Sequence, residues 1–207
     1  MVESQVFARV RRDYGHCASW AVWAPEGDTP KSGIGDMSVL DPERNPRLLD
    51  TLHTRFVLLG LNISREPTGL PFGNFHDPRP RATDFRIRAA FRETACWGAY
   101  MSDVIKEFPE KCSGKMAAYL RHNRGFEVEQ VARLREELLV VGAGSATLLA
   151  FGREAEGVLR RHIGVDYRVV GIPHYANYGS GTAYRARVHE ALRSASVAIA
   201  PAQGLGE

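Results

Sequence analysis

The sequence predicts an α/β protein, a three-layer sandwich built on a mainly parallel central sheet. Two observations carry this. Short apolar runs at Phe56 to Leu59, Gly98 to Lys106, Leu138 to Val141 and Val169 to Ile172 are too short for helices and rich enough in branched residues for strands buried on both faces. Stretches with helical spacing of apolar residues separate them, and alternating strands and helices imply crossover connections with helices on both faces of one sheet. At 207 residues the chain can bury one full core and is short for two. Residues 1–207 are therefore read as a single domain, with 1–50 as an N-terminal extension packed on it.

Taken in order, Val6 to Val10 and Ala18 to Val22 read as short strands, the second alternating as SWAVW. Trp20 and Trp23 suit core or rim packing. Lys31 to Asn45 is a long loop and Pro46 to His53 a short helix leading into the Phe56 strand. Arg81 to Thr94 places Phe85, Ala89 and Ala90 near helical spacing with arginines between them. Lys115 to His122 and Glu127 to Leu138 are helical pieces broken near Gly125. Leu138 to Val141 then turns at GAGS into a helix from Ser145 to about His162, and Thr182 to about Ala195 is the last helix. The tail from Pro201 to Glu207 is expected to fray.

Composition narrows the function classes. Hydrophobic residues make up 44% and charged residues 25%, an ordinary globular balance that excludes disordered and fibrous classes. Lys and Arg number 27 against 24 Asp and Glu, a mildly basic chain that permits a nucleic-acid partner without demanding one. Only Cys17, Cys96 and Cys112 occur, with no Cys-x-x-Cys pair, which points to reduced thiols in a cytoplasmic setting and leaves an iron–sulfur cluster one ligand short. No signal peptide or membrane span is expected, since no segment has about 18 uninterrupted apolar residues. His16 with Cys17 lacks further ligands at metal spacing, so no metal is expected. The Gly142 to Ser145 turn lacks both the P-loop lysine and the dinucleotide glycine spacing, so no cofactor is expected either.

The chemistry concentrates in Arg55 to His76, RFVLLGLNISREPTGLPFGNFH. The apolar strand stops at Gly60 and delivers Asn62 and Ser64 to its carboxyl end, where open α/β sheets bind ligands. Phe72, Asn74, Phe75 and His76 follow in a segment without helical or strand period, which reads as a pocket for a small molecule or a base. The Gly98 strand brings Asp103 and Lys106, and the Val169 strand ends at His174, so Asn62, Asp103 and His174 are expected on one sheet edge. Simpler roles stand beside these: Asn62 as a turn cap, His174 bonded to backbone, and Asp103 as a helix cap or as the ion-pair partner of Lys106.

A strand ending GLN, a Phe-bearing loop, a strand ending in a polar residue with Lys shortly after, and a late strand ending in His together resemble the uracil-DNA glycosylase superfamily over roughly residues 55–191. The resemblance implies a uracil-DNA glycosylase-like fold, DNA with a damaged or deaminated base as partner, and hydrolysis of the N-glycosidic bond of a flipped-out uracil or other damaged base. It implies that Asn62 holds the attacking water and His174 supports the departing base, as the catalytic pair. Gly60, Phe75 or in second place Phe72, and Asp103 would form the base-binding set, Phe75 stacking and Asp103 reading the edge. Ser64, Lys106, Tyr175, Asn177 and Ser180 would face DNA, with Tyr175 to Ser180 pressing into the groove. Arginines between Arg79 and Arg92 would contact phosphates if they lie beside the Asn62 edge.

Two positions depart from that family. Ile63 stands where its members normally carry Pro behind the water-binding residue, and Asp103 stands where they usually carry Asn. Uracil offers an N–H beside an acceptor oxygen, which an amide matches and an ionised carboxylate only half matches. Asp103 must then be protonated, face another group, or select a base with adjacent donors such as guanine or the amino group of cytosine. A non-catalytic base-binding or nucleic-acid-binding module of the same fold, and a hydrolase of free nucleosides or nucleotides, are the alternative readings.

Overall fold

The computed structural model describes residues 1–63, 69–106, 108, 110, 113–177 and 180–197. The chain runs α1 (Ser4–Tyr14), β1 (Ser19–Trp20), α2 (Leu48–Thr51), β2 (His53–Asn62), α3 (Phe85–Phe91), β3 (Ala99–Ile105), α4 (Ser113–His122), α5 (Arg124–Val140), β4 (Thr147–Phe151), α6 (Arg153–Ile163), β5 (Arg168–Ile172) and α7 (Gly181–Ser194). The sheet order is β1-β3-β2-β4-β5, with β1 antiparallel to β3 and every other pair parallel. Helices cover both faces: α3 and α7 pack together over one, and α5 and α6 over the other. This is the three-layer α/β arrangement with a mainly parallel sheet.

Strand alternation sorts the core. Val57, Leu59 and Leu61 join Tyr100, Val104 and Leu148 on the α5 side, while Leu58 joins Met101, Leu149, Phe151 and Ile172 on the α7 side. β2, at the centre, is bonded on both edges and fully apolar from Val57 to Leu61, as a strand covered on both faces must be. Chain direction diverges beside it, because β2 connects outward to β3 whereas β4 connects the other way to β5. The crevice outside the carboxyl ends of β2 and β4 is therefore the natural ligand site of this topology.

The structure corrects four local expectations. Val6 to Val10 is not a strand but part of α1, because Phe7 and Val10 lie three apart on one helical face and are buried together against the sheet. The helical break falls at Asn123, and Gly125 lies inside α5. Leu138 to Val141 is the end of α5 rather than a strand: Val131, Leu134 and Leu138 continue one buried helical face. That helix stops where Gly142, with φ of +76°, closes the turn, its N–H and that of Ala143 donating to the Leu139 and Leu138 carbonyls. The strand is the next apolar run, Thr147–Phe151, and the helix expected from Ser145 begins only at Arg153. The expected fray from Pro201 lies outside the described residues.

Residues 1–50 are built into the same core. Phe7, Val10, Trp20 and Trp23 are all buried, and β1 extends the sheet along β3. No helix among the described residues is long and apolar enough to cross a membrane.

Candidate functional site

A cavity of about 1060 Å³ opens at the carboxyl edge of the sheet, between β2 and β5. This is at the upper end of small-molecule sites, roughly 300–1,000 Å³. Gly60, Asn62, Phe75, Asp103, His174 and Tyr175 all line it, so residues from two strands and two loops converge as the sequence order suggested.

Gly60 and Asp103 form its floor. They are register partners across β2 and β3, and the Asp103 carboxylate lies directly over Gly60: an added Cβ would stand 2.1 Å from Oδ1. Only glycine leaves room for that carboxylate. Burial pushes the Asp103 carboxyl up to about 7; a bond from Asn74 and the charge of Lys106 oppose the rise, while Glu137 and Asp84 add to it. Asn74 Nδ2 donates to Asp103 Oδ2 at 2.8 Å and to the Cys17 carbonyl at 2.7 Å.

Asn62 ends β2 with its side chain held fast. Its Nδ2 donates to the carbonyls of Ile63, Phe108 and Glu110 at 3.1, 3.3 and 2.8 Å. With the amide hydrogens spent on backbone, what Asn62 offers a ligand is its carbonyl oxygen, an acceptor suited to a water. Behind it, the Ile63 N–H donates to the Ile105 carbonyl at 3.3 Å, a bond that Pro at this position would lack.

The Phe-bearing loop is pinned by the N-terminal segment. Phe72 N–H donates to the Gly15 carbonyl at 2.6 Å, Ser19 Oγ donates to the Phe72 carbonyl at 2.7 Å, and Trp23 Nε1 donates to the Phe75 carbonyl at 3.1 Å. Buried His76 places its ring nitrogens against the Val22 and Asn74 carbonyls and stacks on Trp23. These contacts hold Phe72 and Phe75 at φ of +64°, a conformation that costs a non-glycine residue about 1–2 kcal/mol. The two rings part company. Phe75 turns toward Gly60 and Phe151 and lines the cavity. Phe72 packs on Phe7 beneath α1, with its ring centroid 5.4 Å away, and is a core residue rather than part of the base-binding set.

His174 follows β5. Its Nδ1 accepts from the Ala176 N–H at 3.1 Å, its ring stacks on Tyr175, and burial lowers its pKa from 6.5. A neutral ring accepting at Nδ1 carries its proton on Nε2, so His174 is a donor at that atom. Tyr175 packs edge-on against Phe151, and Arg86 donates to its backbone carbonyl at 2.9 Å.

Several expected DNA contacts have other work. Lys106 turns inward: its ammonium meets Glu137, which is fully buried and bonded by Tyr100, at 2.6 Å, and donates to the Asp103 carbonyl at 2.6 Å. It braces β3 and is not presented to a polymer. Ser180 accepts from the Ala183 N–H and caps α7. Arg88 is buried, donating to the carbonyls of Ala24, Pro30 and Ser32. Asn177 lies on the short turn after His174, and Ser64 falls outside the described residues. Around the cavity Arg79, Arg81, Arg153 and Arg187 alternate with Asp77, Glu154, Glu156 and Glu190; Arg79 pairs with Asp77 at 2.8 Å and Arg187 with Glu190 at 3.1 Å. Among the described residues no group of three or more His, Cys, Asp or Glu is placed to hold a metal.

The sequence reading gave Asn74 no role of its own and gave residues 15–24 a strand and core or rim packing but no part in the site. The signal for Asn74 was its place between two loop phenylalanines; the carbonyl track of 15–24 leaves none, since backbone acceptors are common to every residue type. No family model matches the chain, and no curated protein or solved structure matches it.

Proposed function

We propose that the cavity takes a nucleobase and that the protein is a glycosylase-like hydrolase, cleaving the N-glycosidic bond of a flipped-out uracil or other damaged base in DNA. The observation that carries this is the convergence of Asn62, Phe75, Asp103 and His174, from four points of the chain, on one cavity. Breaking a base–sugar bond develops positive charge on the sugar and negative charge on the leaving base. An acceptor that holds water and a donor aimed at the base answer both needs. Asn62, tied by its amide nitrogen, supplies the acceptor; His174, tied at Nδ1, supplies the Nε2 donor. Phe75 supplies a ring wall for the base and Asp103 reads its edge. The polar carboxyl edge of the sheet supports a uracil-DNA glycosylase-like fold.

The mixed charge of the rim favours a second reading, a hydrolase of free nucleosides or nucleotides. A polymer-binding face gains affinity from unpaired cations, and here arginines alternate with carboxylates. Base excision from oligonucleotides carrying uracil, hypoxanthine or xanthine, run beside the corresponding free nucleosides, separates the two. Excision of a lesion that falls roughly 10²-fold or more in Asn62→Ala is the expected result. Release from free nucleosides alone moves the function to the second reading. Base binding without release in either form leaves a non-catalytic module of the same fold.

A further inference from the structure

We infer that Asp103 reads its ligand as a neutral carboxylic acid, with Asn74 deciding which of its oxygens keeps the proton. The inference rests on the base-pocket reading above and specifies which base edge that pocket selects.

Asn74 is the key to the geometry. Its Nδ2 donates both to the Cys17 carbonyl, which can only accept, and to Asp103 Oδ2. The amide orientation is thereby fixed, and Oδ2 is committed as an acceptor. A proton on the carboxyl group then belongs on Oδ1, the oxygen that lies over Gly60 on the floor of the cavity. In that state Asp103 offers an O–H donor at Oδ1 beside the one lone pair of Oδ2 that Asn74 leaves unused, the donor–acceptor pattern of a side-chain amide. It complements an edge with one N–H next to one carbonyl, as in uracil. The ionised form presents acceptors only and complements adjacent donors, as in guanine.

The surroundings favour the neutral form. Lys106, at the end of β3, carries the nearby positive charge, but its ammonium is bound to Glu137 of α5. Glu137 and Asp84, just before α3, both oppose a second negative charge, and the Cys17 thiol before β1 lies close enough to feel it. His16 and Glu110 also line the cavity. The carboxyl accordingly titrates at about 7, so both reading states are populated near neutral pH. The aspartate that departs from the amide expected here thus reproduces the amide's pattern, in a form that pH can withdraw.

Free uracil is the probe, with binding to the full chain measured between about pH 6 and about pH 8.5. Binding by the parent protein is expected to weaken above neutrality, approaching tenfold per pH unit. Asp103→Asn is expected to bind uracil without that slope. Asn74→Ala removes a donor that favours the ionised form, so its midpoint is expected to move upward; a merely structural role would lower affinity and leave the midpoint in place. The carbon-13 shift of the Asp103 carboxyl reads the same midpoint without ligand. Uracil binding that is flat with pH in the parent protein, or guanine preferred to uracil at the acid end, overturns the inference and leaves the base pocket standing. Failure to bind uracil, guanine or cytosine at any pH overturns both.

Discussion

Asp103 and Glu127 are both buried carboxylates, 3% and 0% exposed, yet the protein moves their acidities in opposite directions. Glu127 sits in the first turn of α5 at the seam with α6. Burial alone would raise its pKa, but Arg161 at 2.8 Å and His162 at 2.7 Å bond its Oε1 and more than offset that, holding it below the usual range. Arg161 keeps half its side chain in water, so its charge reaches the seam without being fully desolvated. Asp103 has a neutral amide for its nearest partner and a lysine already bound elsewhere. Burial that is deeper at Asp103 than at Glu127, together with these partners, therefore yields a fixed charge at the seam and an exchangeable proton at the pocket. What separates them is depth of burial together with the supply of cations that keep access to water.

The largest effect that would break this contrast is the penalty on the Asp103 charge. Its folded pKa of about 7 lies above the ordinary 3.8, so the native state holds the extra proton between those values. Stability then declines as pH rises from about 4 to about 7, and the full penalty persists above that. A shift of this size corresponds to on the order of 4 kcal/mol. Asp103→Asn cannot ionise, so it is expected to be more stable than the parent at about pH 8, by up to that amount, with the difference vanishing near pH 4. Urea unfolding at the two pH values checks this; an equal difference at both would show that the carboxyl is already ionised throughout. Next in size is Gly60→Ala, which places a methyl group 2.1 Å from Asp103 Oδ1 on a strand bonded along both edges. A loss of about 3 kcal/mol is expected. Adding Asp103→Gly to it should recover much of that loss, because the methyl meets the carboxylate and not the backbone.

The seam and the pocket differ as much in how far the sequence discloses them. Central strands, the last helix and the convergence of Asn62, Asp103 and His174 were legible because apolar run length and strand order are local signals that dictate the sheet edge. The α5–β4 junction was not: LLVV satisfies both a helical face and a buried strand, and the deciding event is the glycine turn at 142, which follows the run. Phe72 and Phe75 have the same type, loop and backbone conformation. Only the tertiary contact with Phe7 shows which of them turns away from the cavity. Lys106 reads as a surface cation until the fold brings Glu137, 31 positions later, beneath it. Partners distant in sequence are what one-dimensional pattern cannot supply; they hold the acidity of Glu127 down and modulate the rise that burial imposes on Asp103.

The smallest of these effects is the most direct test of the seam. Glu127→Gln keeps the shape and removes the charge, leaving Arg161 and His162 with a neutral acceptor. Because the folded pKa of Glu127 lies below its ordinary value of 4.5, its contribution is present above that value and is lost as pH falls through the folded one. Arg161 is half exposed, and solvent screening reduces what the pair is worth, so a loss of about 1–2 kcal/mol at neutral pH is expected, fading as pH falls below 4.5. The sign is opposite to that of Asp103→Asn: neutralising one buried carboxylate weakens the protein at neutral pH, and neutralising the other strengthens it. If Glu127→Gln were as stable as the parent at neutral pH, the arginine would contribute nothing net at the seam. The supply of cations would then no longer explain why the two carboxylates differ.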